Sequence, residues 1–357
     1  MRRRPRSAES RQLRQLCLGH SWKFGLLLCG LVTAGCSCLH THPCSHRKDP
    51  VGETQLLEKK YSRETVRCST RTWTVFVATT PVKHGPPVLL LHEMPALSAD
   101  ILDLGLRLRD DGFTVYVPLL FGGEKDNSQS TLLFLRRAIA MRSDPEWLTG
   151  KGDAPRRIVD EIAELCRECI LRRHHGERLG VIGNCVTGSI PIALLAKNLP
   201  EFVAPAISQP ALPMPACSQA AKQDIGISPK ELLAAQERVR HDDIEIIGFR
   251  FQYDGISPSE RFVAFRRAFT FGSREYFIDR TLPKIEYFDQ DRLDLHSHSV
   301  LAGCYHAAKH SSGVATSSTQ VAWLRLTNFL HAKLDGPAPR PYVEKFSQRL
   351  IPDPSNQ

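Results

Sequence analysis

Short apolar runs alternate with longer amphipathic segments along most of the chain. The run PPVLLLHE (86–93) is almost continuously apolar, which is typical of a strand covered on both faces. The segment that follows has apolar residues at helical spacing, with Ser98 as its predicted N-cap and a stop near Gly112. Further strands are predicted at 71–81, 114–120, 178–184, 202–209, 244–254 and 284–289, and further helices at 130–141, 157–173, 186–197 and 317–333.

Two Ser-Pro-x-Glu segments mark the starts of two more helices. SPKE (228–231) and SPSE (257–260) both have the capping-box pattern, with proline at the first helical position. Strands that alternate with helices in this way indicate an α/β fold with a mostly parallel, doubly wound sheet and helices on both faces. We expect this domain to span 66–335, between a polar linker at 36–65 and an irregular tail at 336–357.

The formal net charge of +9 is concentrated near the start of the chain. Residues 1–35 hold seven basic side chains and one acidic one, so the rest of the chain carries a net charge of only +3. That remainder has no basic run interleaved with aromatic residues. The charge therefore argues against a nucleic-acid partner.

Residues 1–35 resemble a targeting signal. The apolar run FGLLLCGLVTAG (24–35) follows the basic stretch and is too short to span a bilayer comfortably. It ends in small residues before Cys36, as at the processing site of bacterial lipoprotein signal peptides, where the cysteine is lipidated. Membrane attachment through Cys36 is the favoured prediction. A membrane-anchored or secreted form and an uncleaved cytoplasmic protein are the alternatives.

The eleven cysteines define no disulfide framework, because their number is odd and six of them lie in residues 17–68. The stretch CSCLHTHPCSH (36–46) has spacings that match no standard zinc site, so a flexible tether is favoured over a metal site. Cys166 and Cys169 form a CxxC motif, but in the middle of a predicted helix. A redox CxxC lies at a helix start, where the macrodipole lowers a thiol pKa. We therefore expect these two cysteines to be packing residues.

Another cysteine lies where the chain turns from a strand into a helix. In VIGNCVTGSIPIALLA, Cys185 follows a predicted strand and precedes an apolar helical run. Strand and helix pass close together at such a turn, and Gly183, Thr187 and Gly188 meet the need for small residues. The helix N-terminus favours a thiolate, and the Val186 N–H is placed to donate to an oxyanion. Cys185 is predicted to be a nucleophile, with a buried structural cysteine and a redox thiol as alternatives.

An acid and a base follow this elbow in the order that such a site requires. Asp254 comes directly after the strand EIIGFRFQY and begins a turn, which is the position of an acid that orients an imidazole. HSHSVLAG then supplies His296 and His298 after the last predicted strand, and either is a candidate base. A turn-forming aspartate and a surface histidine pair are the alternatives. The order Cys, Asp, His after successive strands favours the catalytic interpretation.

Three segments resemble the dienelactone hydrolases and their relatives, which have the α/β-hydrolase fold. The segments are VLLLHEMPALSADILDLGLRLRDDGFTVYVPLLFG, VIGNCVTG and HSVL, and the resemblance covers roughly residues 66–335. It implies a Cys-Asp-His triad of Cys185, Asp254 and His298. It also implies that Glu93, directly after the histidine that ends the third strand, contacts the resting cysteine and helps to form the thiolate.

The resemblance implies a second oxyanion donor as well, the N–H of Met94, next to the Val186 N–H. The chain departs from the dienelactone enzymes after the elbow, where Thr-Gly-Ser (187–189) replaces a Gly-Gly pair, which points to a related subgroup. Three arginines lie in the segment expected to overhang the site, as substrate-carboxylate ligands or as solvated helix residues: Arg136, Arg137 and Arg142.

These residues predict a hydrolase that cleaves an ester or lactone bond of a small molecule by acyl transfer to a thiolate. That reaction requires no metal or organic cofactor. One alternative is an acyltransferase on the same fold, because polyester synthases also use an elbow cysteine, although no large lid insertion is present. Another alternative is an inactive domain that serves as a binding module, which the presence of all three triad residue types disfavours. The sequence predicts no oligomeric state.

Overall fold

An eight-stranded sheet forms the centre of the computed structural model, which describes residues 49–79, 85–123, 126–143, 147, 157–197, 199–214, 218–282, 298–305 and 318–335. Its strands are β1 (Ser62–Arg67), β2 (Thr72–Ala78), β3 (Pro87–Leu91), β4 (Thr114–Pro118), β5 (Leu179–Asn184), β6 (Phe202–Ser208), β7 (Ile246–Phe251) and β10 (Phe277–Leu282). A separate two-stranded hairpin contains β8 (Thr270–Phe271) and β9 (Arg274–Glu275).

In space the large sheet has the order β1-β2-β4-β3-β5-β6-β7-β10. The pairs β1·β2 and β2·β4 are antiparallel, and all other neighbours are parallel. The described helices are α1 (Pro50–Glu58), α2 (Ala99–Asp110), α3 (Thr131–Ser143), α4 (Arg157–Leu165), α5 (Ile190–Leu194), α6 (Gln219–Gln223), α7 (Pro229–Asp242), α8 (Ser259–Ala268) and α9 (Ser318–Leu334). A π-helical segment, Cys166–Leu171, continues α4.

Apolar side chains cover both faces of the sheet. Leu89 and Leu91 of β3 belong to one buried cluster, while Val88 and Leu90 belong to another. Successive strand residues point to opposite faces, so one strand supplies both clusters. All five residues of β3 are buried, as its continuous apolar run predicts. The predicted doubly wound, mostly parallel α/β sheet is confirmed.

Four neighbouring parallel strands lead into the candidate site. Glu93 follows β3, Cys185 follows β5, Gln209 follows β6 and Asp254 follows β7. These strands are adjacent in the order β3-β5-β6-β7, so their carboxyl ends lie along one edge of the sheet. Ligands of open α/β sheets bind at this edge.

Two helix N-termini test the capping predictions. Ser228 caps α7, since its Oγ accepts a hydrogen bond from the Glu231 N–H at 3.3 Å and donates to the Glu231 carboxylate at 2.9 Å. SPSE begins a helix, as predicted, but its predicted capping box is wrong, because α8 begins at Ser259 with Pro258 as N-cap residue and no side-chain cap. The backbone N–H of Ser257 donates instead to Asp254 Oδ1 at 2.9 Å. The turn at Asp254 thus includes Ser257, and the helix begins two residues later.

At both ends of the domain, the structure differs from what the sequence predicts. Residues 50–65, assigned to a linker, contain α1 and most of β1. In α1 only Thr54 is buried, and no residue of β1 is, so neither element has the apolar face that reveals a helix or strand. The last strand of the sheet is β10, which pairs with β7, whereas the predicted strand at 284–289 lies outside the described residues. Only the two end residues of β10 are buried, so its alternation is weak.

Several predictions fall outside the described residues. They concern the signal-like segment at 1–35, Cys36, the stretch at 36–46, His296 and the tail at 336–357. Among the helices that the structure describes, none combines the length and the apolar composition needed to cross a membrane.

Candidate active site

Cys185 lies at a strained turn directly after β5. Its backbone φ is 54°, in the left-handed region that residues other than glycine rarely adopt. A short 3-10 turn, Cys185–Thr187, follows, and regular helix begins only at Ile190, so the helix predicted at 186–197 is shorter and starts later. The cysteine residue is only 3% exposed. Backbone strain of this kind persists where the surrounding structure imposes it, and it is concentrated at functional sites.

Two glycines allow the turn to pack against its neighbours. A Cβ atom at Gly183 would lie 2.3 Å from the carbonyl oxygen of Thr187, and one at Gly188 would lie 2.5 Å from Pro210 Cα. Both contacts are with backbone, which cannot move aside as a flexible side chain can. The predicted need for small residues at 183 and 188 has this steric cause.

Thr187 occupies the third position at which the elbow pattern asks for a small residue. Its buried Oγ1 accepts a hydrogen bond from the Asn184 N–H at 2.9 Å and donates to the Asn184 carbonyl at 2.8 Å. Asn184 in turn donates from Nδ2 to the Leu91 carbonyl at 3.0 Å. The hydroxyl therefore closes the turn after β5, and the neighbouring amide ties that turn to the end of β3.

His298 and Asp254 form a buried pair. Their closest atoms, His298 Nδ1 and Asp254 Oδ2, are 2.7 Å apart. The other carboxylate oxygen accepts the backbone N–H groups of Ile256 and Ser257, each at 2.9 Å. A carboxylate accepts hydrogen bonds, so Nδ1 is the donor and Nε2 is left for another partner. The turn at Asp254 thereby orients both the acid and the imidazole.

The environment of His298 favours its protonated form. Burial alone lowers the pKa of this imidazole, but the charge of Asp254, the charge of Cys185 and the hydrogen bond to Asp254 raise it well above its ordinary value. Nε2 is buried and makes no hydrogen bond of standard geometry within the described part of the chain. Hydrogen bonds of this type are often loose in a free enzyme. The structure thus brings Cys185, His298 and Asp254 together.

Glu93 is buried within a small polar network. Its Oε1 accepts a hydrogen bond from Ser299 Oγ at 2.7 Å, and its Oε2 accepts one from Gln209 Nε2 at 3.3 Å. Ser299 directly follows His298, and Gln209 directly follows β6. The carboxylate therefore joins the loop that carries the imidazole to the ends of two strands.

Sequence reasoning did not find Gln209 and Ser299. Gln209 is a polar residue at the end of an apolar strand, which is a weak signal, and Ser299 lies inside the HSVL motif. Both side chains are fully buried. Their common partner Glu93 is 116 residues from Gln209 and 206 from Ser299, so only the fold brings them together.

Comparison with known protein families gives a match for the part of the chain that contains the turn at Cys185. The family model of the dienelactone hydrolases matches residues 74–229. This part of the chain is similar to the dienelactone hydrolases, as the quoted segments predict. The match includes Glu93, Met94 and Cys185, and it ends before Asp254 and His298. Among curated proteins, no sequence matches the chain.

Solved structures with similar folds include several hydrolases. A Klebsiella pneumoniae protein assigned to the dienelactone hydrolases is 17% identical, with a match that covers 74% of this chain and 95% of that one at a TM-score of 0.48. A dienelactone hydrolase from Anabaena variabilis is 11% identical, with 77% and 99% covered and a TM-score of 0.45. The esterase domain of a Rhodothermus marinus protein is 14% identical, with 62% and 88% covered and a TM-score of 0.38.

The family match and the strand order together give the chain the α/β-hydrolase fold, as predicted. The match to the dienelactone hydrolase family model supports a hydrolase that acts on a small molecule. Within the described residues, no group of three or more metal-ligating side chains is arranged to hold a metal ion.

The loop after β3 contains the predicted oxyanion donor Met94, which is buried. Arg137 of α3 donates to the carbonyl of Pro95 in this loop and to Asp126 at 2.6 Å. This arginine therefore ties α3 to the loop, a structural use that differs from holding a substrate carboxylate. Arg136 is exposed, and the side chain of Arg142 lies outside the description.

The two cysteines of the CxxC motif are buried and free, within the π-helical segment. Burial raises the pKa of Cys166 to about 12 and that of Cys169 to about 11. Thiols with such pKa values are poor redox nucleophiles at neutral pH. Their environment agrees with the predicted packing role.

Proposed function

We propose that this protein is a cysteine hydrolase that cleaves an ester or lactone bond of a small molecule. The observation that carries the proposal is the strained turn at Cys185, next to a buried histidine whose Nδ1 is hydrogen-bonded to a buried aspartate. Cys185 is the nucleophile, His298 the general base and acid, and Asp254 the group that orients the imidazole.

The first half of the reaction forms a thioester. His298 Nε2 takes the proton of the Cys185 thiol, while Asp254 holds the Nδ1 proton and stabilises the imidazolium. The thiolate attacks the substrate carbonyl, and the backbone N–H groups of Met94 and Val186 stabilise the resulting oxyanion. The tetrahedral intermediate collapses, and the alkoxide leaves with the proton that His298 carries.

The second half of the reaction releases the acyl group. His298 now accepts a proton from water, and the hydroxide attacks the thioester carbonyl of Cys185. The acid product leaves, and the thiolate regains its proton from the imidazolium. In each half of the reaction, Nε2 accepts one proton and then donates it. The imidazole orientation that Asp254 imposes is therefore needed in both halves.

Glu93 is proposed to assist the ionisation of Cys185. Glu93 directly precedes Met94, and its buried carboxylate accepts hydrogen bonds from Gln209 and from Ser299, the residue after His298. Through Ser299 this carboxylate is linked to the loop that carries His298, and we propose that it is a second proton acceptor in the site. We expect its removal to lower turnover less than the removal of Cys185.

Turnover of a small ester panel by the full chain tests the proposal. The panel contains p-nitrophenyl acetate, p-nitrophenyl butyrate and a dienelactone. We expect hydrolysis by the wild type, loss of turnover in Cys185→Ala and weak turnover in Cys185→Ser, because the site is built for a thiolate. Cys68→Ala, which changes a free cysteine at the end of β1, is the matched control and should keep activity. Activity that persists in Cys185→Ala would contradict the proposal.

The products and the thiol reactivity distinguish the other functions. Release of the free acid supports a hydrolase, whereas transfer of the acyl group to an added alcohol or thiol would indicate an acyltransferase. Rapid alkylation of Cys185 near neutral pH supports a paired thiol. An inert thiol together with no turnover would favour a binding module.

We also propose that Cys36 attaches the protein to a membrane. The support is the basic stretch, the short apolar run and the small residues that precede this cysteine. Cells that express the full chain would be given a labelled fatty acid, and the protein would then be partitioned into detergent. Label on the wild type and on Cys38→Ser, with none on Cys36→Ser, is the expected result. Label on Cys36→Ser, or none on the wild type, would overturn it.

A further inference from the structure

Gln209 has an unusual backbone conformation. Its φ is 34°, and the only other non-glycine residues with positive φ in the described part of the chain are Cys185 and Asp243. Asp243 is the C-cap of α7, where a left-handed residue is common. Cys185 and Gln209 instead follow β5 and β6, which are neighbours in the sheet. The strain at Gln209 therefore belongs to the same edge of the sheet as the elbow.

The side-chain amide of Gln209 has a defined orientation. Its Oε1 accepts the backbone N–H of Val300 at 3.3 Å and also the hydroxyl of Ser208. Because two donors converge on Oε1, the NH2 group must lie on the other side, where Nε2 donates to Glu93 at 3.3 Å. The backbone N–H is held as well, by the Phe249 carbonyl at 2.7 Å. The side-chain amide and the backbone N–H are thus fixed within a fully buried position.

This arrangement joins Glu93 to the loop of His298 at two points. Gln209 bonds both the Glu93 carboxylate and the N–H of Val300, two residues after His298. Ser299 donates to the other carboxylate oxygen and accepts the Gly303 N–H at 2.8 Å. Both donors to the carboxylate are neutral, so they stabilise its charge without introducing another one.

We propose that Gln209 is a positioning residue that holds the Glu93 carboxylate and the His298 loop in a fixed relation and so sets the pH range in which Cys185 acts. The inference rests on the proposed cysteine hydrolase activity. Gln209 acts through Glu93 and the loop of His298, and it takes no part in bond making or breaking. Its amide is needed because it is at once an acceptor toward the loop and a donor toward the carboxylate.

The isosteric variant Gln209→Glu separates these two roles. Its carboxyl can still accept the Val300 N–H and the Ser208 hydroxyl. Toward Glu93 it can donate only while it is protonated, because two carboxylates about 3 Å apart cannot both be ionised. The variant should therefore behave like the wild type at acidic pH and lose the contact to Glu93 as the pH rises.

The experiment measures kcat/KM and the rate of Cys185 alkylation from about pH 5 to about pH 9, in the full chain. Loss of one hydrogen bond to a charged group corresponds to a tenfold change or more. We expect the ratio of Q209E to wild type to be near one at the acidic end and about tenfold lower at the basic end. Q252E, which changes an exposed glutamine directly after β7, is the matched control and should give a constant ratio.

Ser299→Ala provides a second test if Q209E does not fold. It removes the other neutral donor to the Glu93 carboxylate and leaves the Gln209 contacts in place. Loss of this donor disfavours the charged carboxylate, so the ratio of Ser299→Ala to wild type should be lowest at the acidic end and should approach one at the basic end. A ratio that is constant with pH in the folded variants would overturn the proposal. That outcome differs from failure of the proposed function, in which the wild type has no turnover or Cys185→Ala remains active.

Discussion

Asp254 Oδ2 lies 2.7 Å from His298 Nδ1, while the other oxygen of the same carboxylate accepts two backbone N–H groups. One side chain thus closes its own turn and fixes the tautomer of the imidazole. The two tasks fall on different oxygens, so a substitution can remove one and keep the other.

Asp254→Asn is expected to keep the fold and lose activity. The Asn carbonyl can still accept the N–H groups of Ile256 and Ser257, but its NH2 group would face His298 Nδ1 and force the proton onto Nε2. An imidazole in that tautomer cannot accept the thiol proton. We expect kcat to fall by about 10³- to 10⁴-fold, the size of such an effect in serine proteases, with unchanged thermal melting.

The control for this variant is Asp279→Asn on β10, where the carboxylate bonds Arg266. It should leave kcat unchanged. A loss of less than tenfold in Asp254→Asn would mean that the tautomer set by Asp254 is not needed for turnover.

The glycines at the elbow are expected to be required for stability. Gly183→Ala places a Cβ 2.3 Å from a backbone oxygen, and Gly188→Ala places one 2.5 Å from Pro210 Cα. Forced overpacking of a rigid site costs about 1–3 kcal/mol, so each variant should lower the free energy of unfolding by at least that much in urea denaturation. Gly255→Ala is the matched control, because nothing lies within 4 Å of its added Cβ. Equal stability of all three variants would refute the steric explanation.

The parts of the fold and of the site that the sequence predicts are those that depend on interactions between residues close together in the chain. The buried strand β3, the Ser228 cap and the small residues around Cys185 each follow from rules that act within a few residues. The choice of His298 over His296 and the role of Glu93 rest on a family resemblance, and they remain proposals.

The parts that the sequence does not predict depend on long-range contacts or on exposed edges. Gln209 and Ser299 are recognisable only through Glu93, which the fold brings to them across more than 100 residues of chain. The edge strands β1 and β10 lack a buried alternating face, so no period-two pattern distinguishes them. Hydrophobic periodicity reflects burial, so it does not reveal an element that has few buried residues.

His331 is expected to stabilise the protein most at acidic pH. Hydrogen bonding to Asp111 raises the pKa of His331, burial opposes this effect, and Asp335 adds to it. Because the pKa in the folded state is above the unfolded value, the contribution is complete below about pH 6.5 and is lost as the pH rises through the folded pKa. His331→Gln should therefore cost about 1 kcal/mol of unfolding free energy near pH 5.5 and less near pH 9. A gap that widens with pH would contradict this assignment.

His92 should have the opposite pH dependence. Burial lowers its pKa to about 4, the Glu93 carbonyl opposes this shift and Arg137 adds to it. The neutral ring also accepts the Leu120 N–H on Nε2 at 3.0 Å, which a protonated ring cannot do. In the unfolded chain this histidine becomes protonated below about pH 6.5, whereas in the native state it stays neutral down to about pH 4. The free energy of unfolding therefore falls as the pH drops from about 6.5 toward 4, by an amount on the order of 3 kcal/mol.

Urea denaturation of His92→Gln tests this expectation. The variant should be less stable than the wild type near pH 8, and the difference in unfolding free energy should be smaller near pH 4.5. His175→Gln, which changes an exposed histidine, is the control, and a gap for His92→Gln that does not change with pH would show that protonation of His92 does not limit stability.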